Sequence, residues 1–146
     1  MTKVPLIALT VLAGILVCAS LTDSELLAKN DFLIGFFNHN FVSIIAVIVT
    51  VNLVTISQII LELSRIERRF NKKVFTDARR SLHLSAAILI ILLFASFLLM
   101  FLAARFASES SIVSFIYSFG ILAIAEALFI MYELIKTIST ISEEEP

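Results

Sequence analysis

Apolar residues run along this chain in long blocks separated by short polar intervals. Crossing the hydrocarbon of a bilayer takes about 20 consecutive, mostly apolar residues in a helix. Four blocks reach that length: 4–21, 41–63, 82–104 and 112–134. None of them holds a Lys or Arg. Pro5 falls in the first turn of the first block, where its missing N–H breaks no helical bond. The pattern predicts an all-α integral membrane bundle of four transmembrane helices.

The intervals predict less regular elements. Thr22-Asp23-Ser24-Glu25 has the spacing of a capping box, with Thr22 as cap and Glu25 reaching back. Residues 31–37 are apolar but too short to span, and are expected either to lie in the membrane interface or to extend the second span outward. Between spans two and three, 64–81, Ile66, Phe70 and Val74 recur at i, i+4 and i+8. That spacing reads as a basic amphipathic connection with one apolar stripe, or as a solvated continuation of the flanking spans. The third connection, 105–111, is short, and 137–146 reads as an acidic tail ending Glu143-Glu144-Glu145.

Composition agrees with the pattern. Of 146 residues, 60% are hydrophobic and 16% charged, and mean hydropathy is +1.04. A soluble domain is about half apolar, and one this small could not hide the excess. Net charge is −1, which gives no basis for a nucleic-acid partner. The single cysteine, Cys18, cannot form a disulfide within the chain. Lys3 and the run behind it have some features of a signal peptide, but the run is long and no clean cleavage site follows, so an uncleaved first span is expected.

The distribution of charge sets the orientation. Seven of eleven basic residues fall between spans two and three: Arg65, Arg68, Arg69, Lys72, Lys73, Arg79 and Arg80. Cytoplasmic loops are enriched in Lys and Arg, so this connection is expected on the cytoplasmic side, with both termini there too, in a bacterial-type inner membrane. Arg65, Arg68, Arg69, Lys72, Lys73 and Arg79 would form a patch against anionic lipid head groups.

In lipid, helices associate through close-packed small residues and interhelical hydrogen bonds. Thr10, Gly14 and Cys18 repeat at i+4 on the first span, as do Ser114 with Ser118 and Ala123 with Ala127 on the fourth. All are expected at helix contacts.

The polar residues at membrane depth are the candidate site. Glu126 stands inside the fourth span, where an acid costs about 2.5–3.5 kcal/mol on insertion scales, and no span supplies a counter-ion. Counting from the span ends puts Glu126 level with Thr55, with Asn52 and Gln58 on the same broad face of span two. Glu126, Asn52, Thr55 and Gln58 are therefore expected to form an intramembrane polar seam. Glu62, Glu133, His83 and Arg80 fall near one level at the cytoplasmic edge, where they could cluster.

No metal-binding, nucleotide-binding or hydrolase motif occurs, so neither a cofactor, a metal nor enzymatic activity is expected. The leading functional expectation is a small membrane protein acting by helix association with itself or a larger membrane partner, as an accessory or immunity-type protein. The alternatives are an oligomeric channel or proton or cation transporter around Glu126, and a phage-type membrane-permeabilising protein.

Overall fold

In the computed structural model, which describes residues 3–70 and 75–143 (with side chains for 10–69, 75–139), six helices follow one another: α1 Lys3–Thr22, α2 Ser24–Ala28, α3 Asp31–His39, α4 Phe41–Phe70, α5 Thr76–Arg105 and α6 Ser110–Glu143. No strand occurs among the described residues. Phe41–Arg69, Thr76–Arg105 and Ser110–Ser139 are each long and apolar enough to cross a membrane. The chain is therefore an all-helical membrane protein.

The buried positions explain how the long helices meet. On α4, after the buried Phe41 at its start, they are Ile45, Val49, Asn52, Ile56, Ile59 and Leu63, alternating steps of four and three. On α6, Val113, Ile116, Gly120, Ala123, Ala127, Ile130 and Leu134 are buried with the same alternation, beside a second buried strip of Ser114, Tyr117 and Ser118. On α5, Leu82, Leu89 and Ser96 recur every seven. A period of 3.5 residues is that of knobs-into-holes packing in left-handed bundles. Ala123 and Ala127 make α6 thin along this seam, and at Gly120 the rings of Phe37 and Phe41 come close to its backbone. In lipid that closeness, rather than escape from water, is what holds helices together.

Helix α6 is the hub, packing against α1, α2, α4 and α5. Helix α1 docks on it through buried Leu16 and Ser20. The expected stripe of Thr10, Gly14 and Cys18 lies elsewhere: all three are exposed, and a Cβ at Gly14 would meet nothing within 4 Å. The face of α1 that packs on α6 is set by Leu16 and Ser20, not by its run of small residues. Ala123 and Ala127 do sit at a helix contact, as does the pair Ser114 and Ser118.

The chain between α1 and α4 closes one end of the bundle. Asp23, not Thr22, caps α2, accepting from the Glu25 N–H at 3.2 Å. The Thr22 hydroxyl is already spent on the Cys18 carbonyl at 2.6 Å, which removes it from the capping-box role. Asn30 caps α3 through the Leu33 N–H at 3.1 Å. Residues 31–37 belong to α3, which leads almost directly into α4 and turns Phe37 inward. The Phe37 ring stacks on Tyr117 at 4.3 Å and on Phe41 at 4.6 Å.

At the opposite end α4 continues to Phe70 and α5 begins at Thr76. Most of the basic connection is thus the continuation of two spans. Lys72, Lys73 and Val74 lie outside the described residues, as does the tail beyond Glu143, while the start of that tail is the last turns of α6.

Candidate functional site

Residues Glu126 and Ala127 are neighbours on α6 and so point about 100° apart. Ala127 occupies the seam toward α4, and its carbonyl accepts from the Asn52 side-chain amide at 2.9 Å. Glu126 is turned out of that seam, toward α1 and α5. The expected polar seam is therefore not assembled. Asn52 is fully buried between α4 and α6. Thr55 donates to the Val51 carbonyl of its own helix at 2.9 Å, and Gln58 is exposed. The heptad alternation explains the split: it selects Asn52, Ile56 and Ile59 for the contact, and Thr55 and Gln58 fall progressively to its side.

Glu126 opens into a lateral cleft of about 470 Å³. Its floor is α6, with Phe119, Leu122, Ala123 and Glu126. One wall is α5, with Leu92, Ala95, Leu98 and Leu99, and Ala13 of α1 stands opposite. The cleft exists because α1 and α5 each pack on α6 but not substantially on each other. Glu126 is its only ionisable side chain. It is half-buried near the middle of α6 and has no hydrogen-bond or ion-pair partner among the described residues.

Of the expected edge cluster, Glu62 is tied to its own helix. Glu62 pairs with Arg65 one turn along α4, at 2.5 Å, and both are exposed. His83 and Arg80 are exposed on α5, and Glu133 is half-buried on α6. Of the basic residues, Arg65, Arg68, Arg69 and Arg80 are exposed, whereas Arg79 turns inward. Its Nη2 meets Glu67 Oε2 at 2.5 Å and Ser64 Oγ at 3.0 Å. The other oxygen of Glu67 accepts the Phe75 N–H at 3.0 Å. Arg79 thus belongs to a clamp that ties the end of α4 to the start of α5, and not to a lipid-facing patch.

Comparison of the chain with protein-family models, with curated proteins and with solved structures finds no match. The chemistry of the chain is therefore read from its own geometry. Among the described residues no group of three or more His, Cys, Asp and Glu side chains could hold a metal ion.

One feature escaped the sequence reading. Ser20 of α1 lies 2.8 Å from Ser118 Oγ and accepts from Ser114 Oγ at 3.2 Å. Ser118 in turn donates to the Ser114 carbonyl at 3.0 Å. Each hydroxyl then has a partner, with Ser20 donating to Ser118, and the relay fastens α1 to α6. The Ser114–Ser118 spacing was a signal for one side of it. Nothing in the apolar run of α1 singled out Ser20 as the other.

Proposed function

We propose that this is a small four-span protein of a bacterial-type inner membrane, both termini cytoplasmic, that acts by binding and not by catalysis. It associates with itself or with a larger membrane partner. Helix α1 supports the fourth span, since 20 residues reach about 30 Å at 1.5 Å per residue, the thickness of the hydrocarbon. The positive-inside rule supports the orientation, with exposed Arg65, Arg68, Arg69 and Arg80 at the α4–α5 end against anionic head groups.

The observation that carries association is the outer face of α5. Phe94, Phe97 and Phe101 recur there at i, i+3 and i+7, and all are exposed. Lipid tails require only aliphatic side chains, whereas a ridge of flat, rigid rings offers a neighbouring helix shape and edge-to-face contacts. The connections between helices are short, so lipid-facing helix surface is most of what the chain can offer a partner.

Photo-crosslinking in native membranes tests this. A crosslinker at Phe97 should capture a discrete protein adduct, and the same group at Val47, exposed on α4, should capture lipid alone. Lipid adducts from both positions would refute association through α5. A channel lined by Asn52, Thr55, Glu126 and Glu133 finds less support, because Asn52 of α4 is bonded to the Ala127 carbonyl while Glu126 faces the cleft toward α1 and α5.

A further inference from the structure

The cleft beside Glu126 has the character of a small-ligand site, and its occupant can be argued from its dimensions and charge. Phe119 and Glu126 mark its ends on α6, seven residues or about 10 Å apart. A docked transmembrane helix would need a groove about three times as long. A volume of about 470 Å³ instead lies within the range of roughly 300–1,000 Å³ usual for small-molecule pockets.

We infer that the cleft binds a lipophilic organic cation entering sideways from the bilayer, its positive charge on Glu126 and its apolar body between α5 and α6. The lining admits an apolar body of two helical turns and offers one ionisable contact, a carboxyl. No Lys or Arg lies in the bodies of the spans, 4–21, 41–63, 82–104 and 112–134, so neither this chain nor a second copy can bring a basic side chain to that depth. A cation soluble in lipid can. Its charge is diffuse enough to enter the membrane, and in a site poor in water a single carboxylate attracts it strongly. The exposed Phe119 ring at the far end adds a flat surface for an aromatic substituent or for the cation itself. The gap between α1 and α5 leaves the entrance open toward lipid. This site is separate from the α5 ridge and does not depend on association.

The test is equilibrium binding of radiolabelled tetraphenylphosphonium to the full chain in detergent, with tetraphenylborate as a probe of the same shape and opposite charge. Saturable binding of the cation, and none of the borate, is the expected result. Glu126→Gln should weaken it by about tenfold or more, as loss of one partner of a desolvated charge pair does, and Glu126→Asp should restore part of the loss. Ala95→Trp, which fills the cleft from the α5 wall and leaves the carboxyl in place, should abolish binding. Unsaturable uptake, equal binding of the borate, or unchanged affinity in Glu126→Gln would overturn the inference. Should Glu126→Gln not yield a monodisperse protein, Ala95→Trp decides alone: wild-type affinity in that variant refutes the site.

Discussion

Asn52 reaches across the α4–α6 seam and donates its amide to the carbonyl oxygen of Ala127 at 2.9 Å. It is the one polar side chain in the buried alternation of α4, and its Oδ1 has no partner among the described residues. The bond and the orphaned acceptor oppose each other energetically. An interhelical hydrogen bond in a membrane protein contributes about 0.6 kcal/mol on average, whereas an unsatisfied buried acceptor costs about 1–3 kcal/mol. Asn52→Leu removes both, and the Ala127 carbonyl keeps its helical bond. Unfolding of the detergent-solubilised protein should therefore show Asn52→Leu within about 1 kcal/mol of wild type or more stable. What Asn52 supplies is register, because a polar group in an apolar seam is satisfied in one alignment only. A loss of several kcal/mol in Asn52→Leu would contradict this account.

Gly120 lies directly under the Phe37 ring. A Cβ added there would overlap the ring edge and stand 3.2 Å from Phe41 Cε2. Phe37 is itself pinned between Phe41 and Tyr117, so it cannot swing aside without breaking two stacked contacts. Gly120→Ala should lower stability by about 1–3 kcal/mol, the usual cost of overpacking. Phe37→Leu in the same background should recover part of that loss, since residues in contact do not behave additively. The midpoints of the two single variants and the double variant, measured by thermal unfolding, check this. Strict additivity would mean that the ring is not the obstacle.

The long apolar helices were legible in the sequence because hydropathy depends only on runs of residue types. Which side of each helix faces a neighbour was less so. On α1 the visible stripe was Thr10, Gly14 and Cys18, but Ser20 and Leu16 make the contact, because the serine relay favours that side over a surface of small residues. On α4 and α6 the buried positions do follow a sequence rule, the alternation of three and four. Applied to α6, that rule takes Ala127 into the seam and leaves Glu126 out. Matching depths alone put Asn52 and Glu126 together, because depth is one coordinate and rotation about the helix axis is the other. The inward turn of Arg79 was invisible for a similar reason: its partner Glu67 is twelve residues away, across a change of helix.

The serine relay between α1 and α6 separates hydrogen bonding from packing. Ser20→Ala removes the acceptor of the Ser114 hydroxyl and the donor to Ser118, but leaves Ser118 its bond to the Ser114 carbonyl, at 3.0 Å. Its cost should be small, about 0.6 kcal/mol, as for other interhelical bonds in membranes. Ser20→Leu keeps helix propensity but forces a larger side chain into a site that is 2% exposed, and should cost about 1–3 kcal/mol. A crosslink between cysteines placed at Leu16 and on the facing surface of α6 should form more slowly in Ser20→Leu than in Ser20→Ala. Equal rates would mean that α1 is not held at Ser20.

The Glu67–Arg79 clamp joins the end of α4 to the start of α5. Glu67 is the more buried partner and serves two donors, Arg79 and the Phe75 N–H. Glu67→Ala leaves the Phe75 N–H without its acceptor and the Arg79 guanidinium with the Ser64 hydroxyl alone. Arg79 is about one-third exposed, so water replaces part of what is lost, and the cost should fall below the roughly 3–5 kcal/mol seen on breaking fully buried pairs. About 1–3 kcal/mol is expected, of the size of one unsatisfied buried polar group. Glu67→Gln can still accept from Phe75 while losing the ionic attraction, and should be the milder variant. The readout is local: hydrogen exchange at the Phe75 and Arg79 amides should accelerate in Glu67→Ala while amides in the α4–α6 seam keep their protection. A global loss of protection would place the clamp in the core of the bundle's stability, and unchanged exchange would show that the ends of α4 and α5 are held together by other contacts.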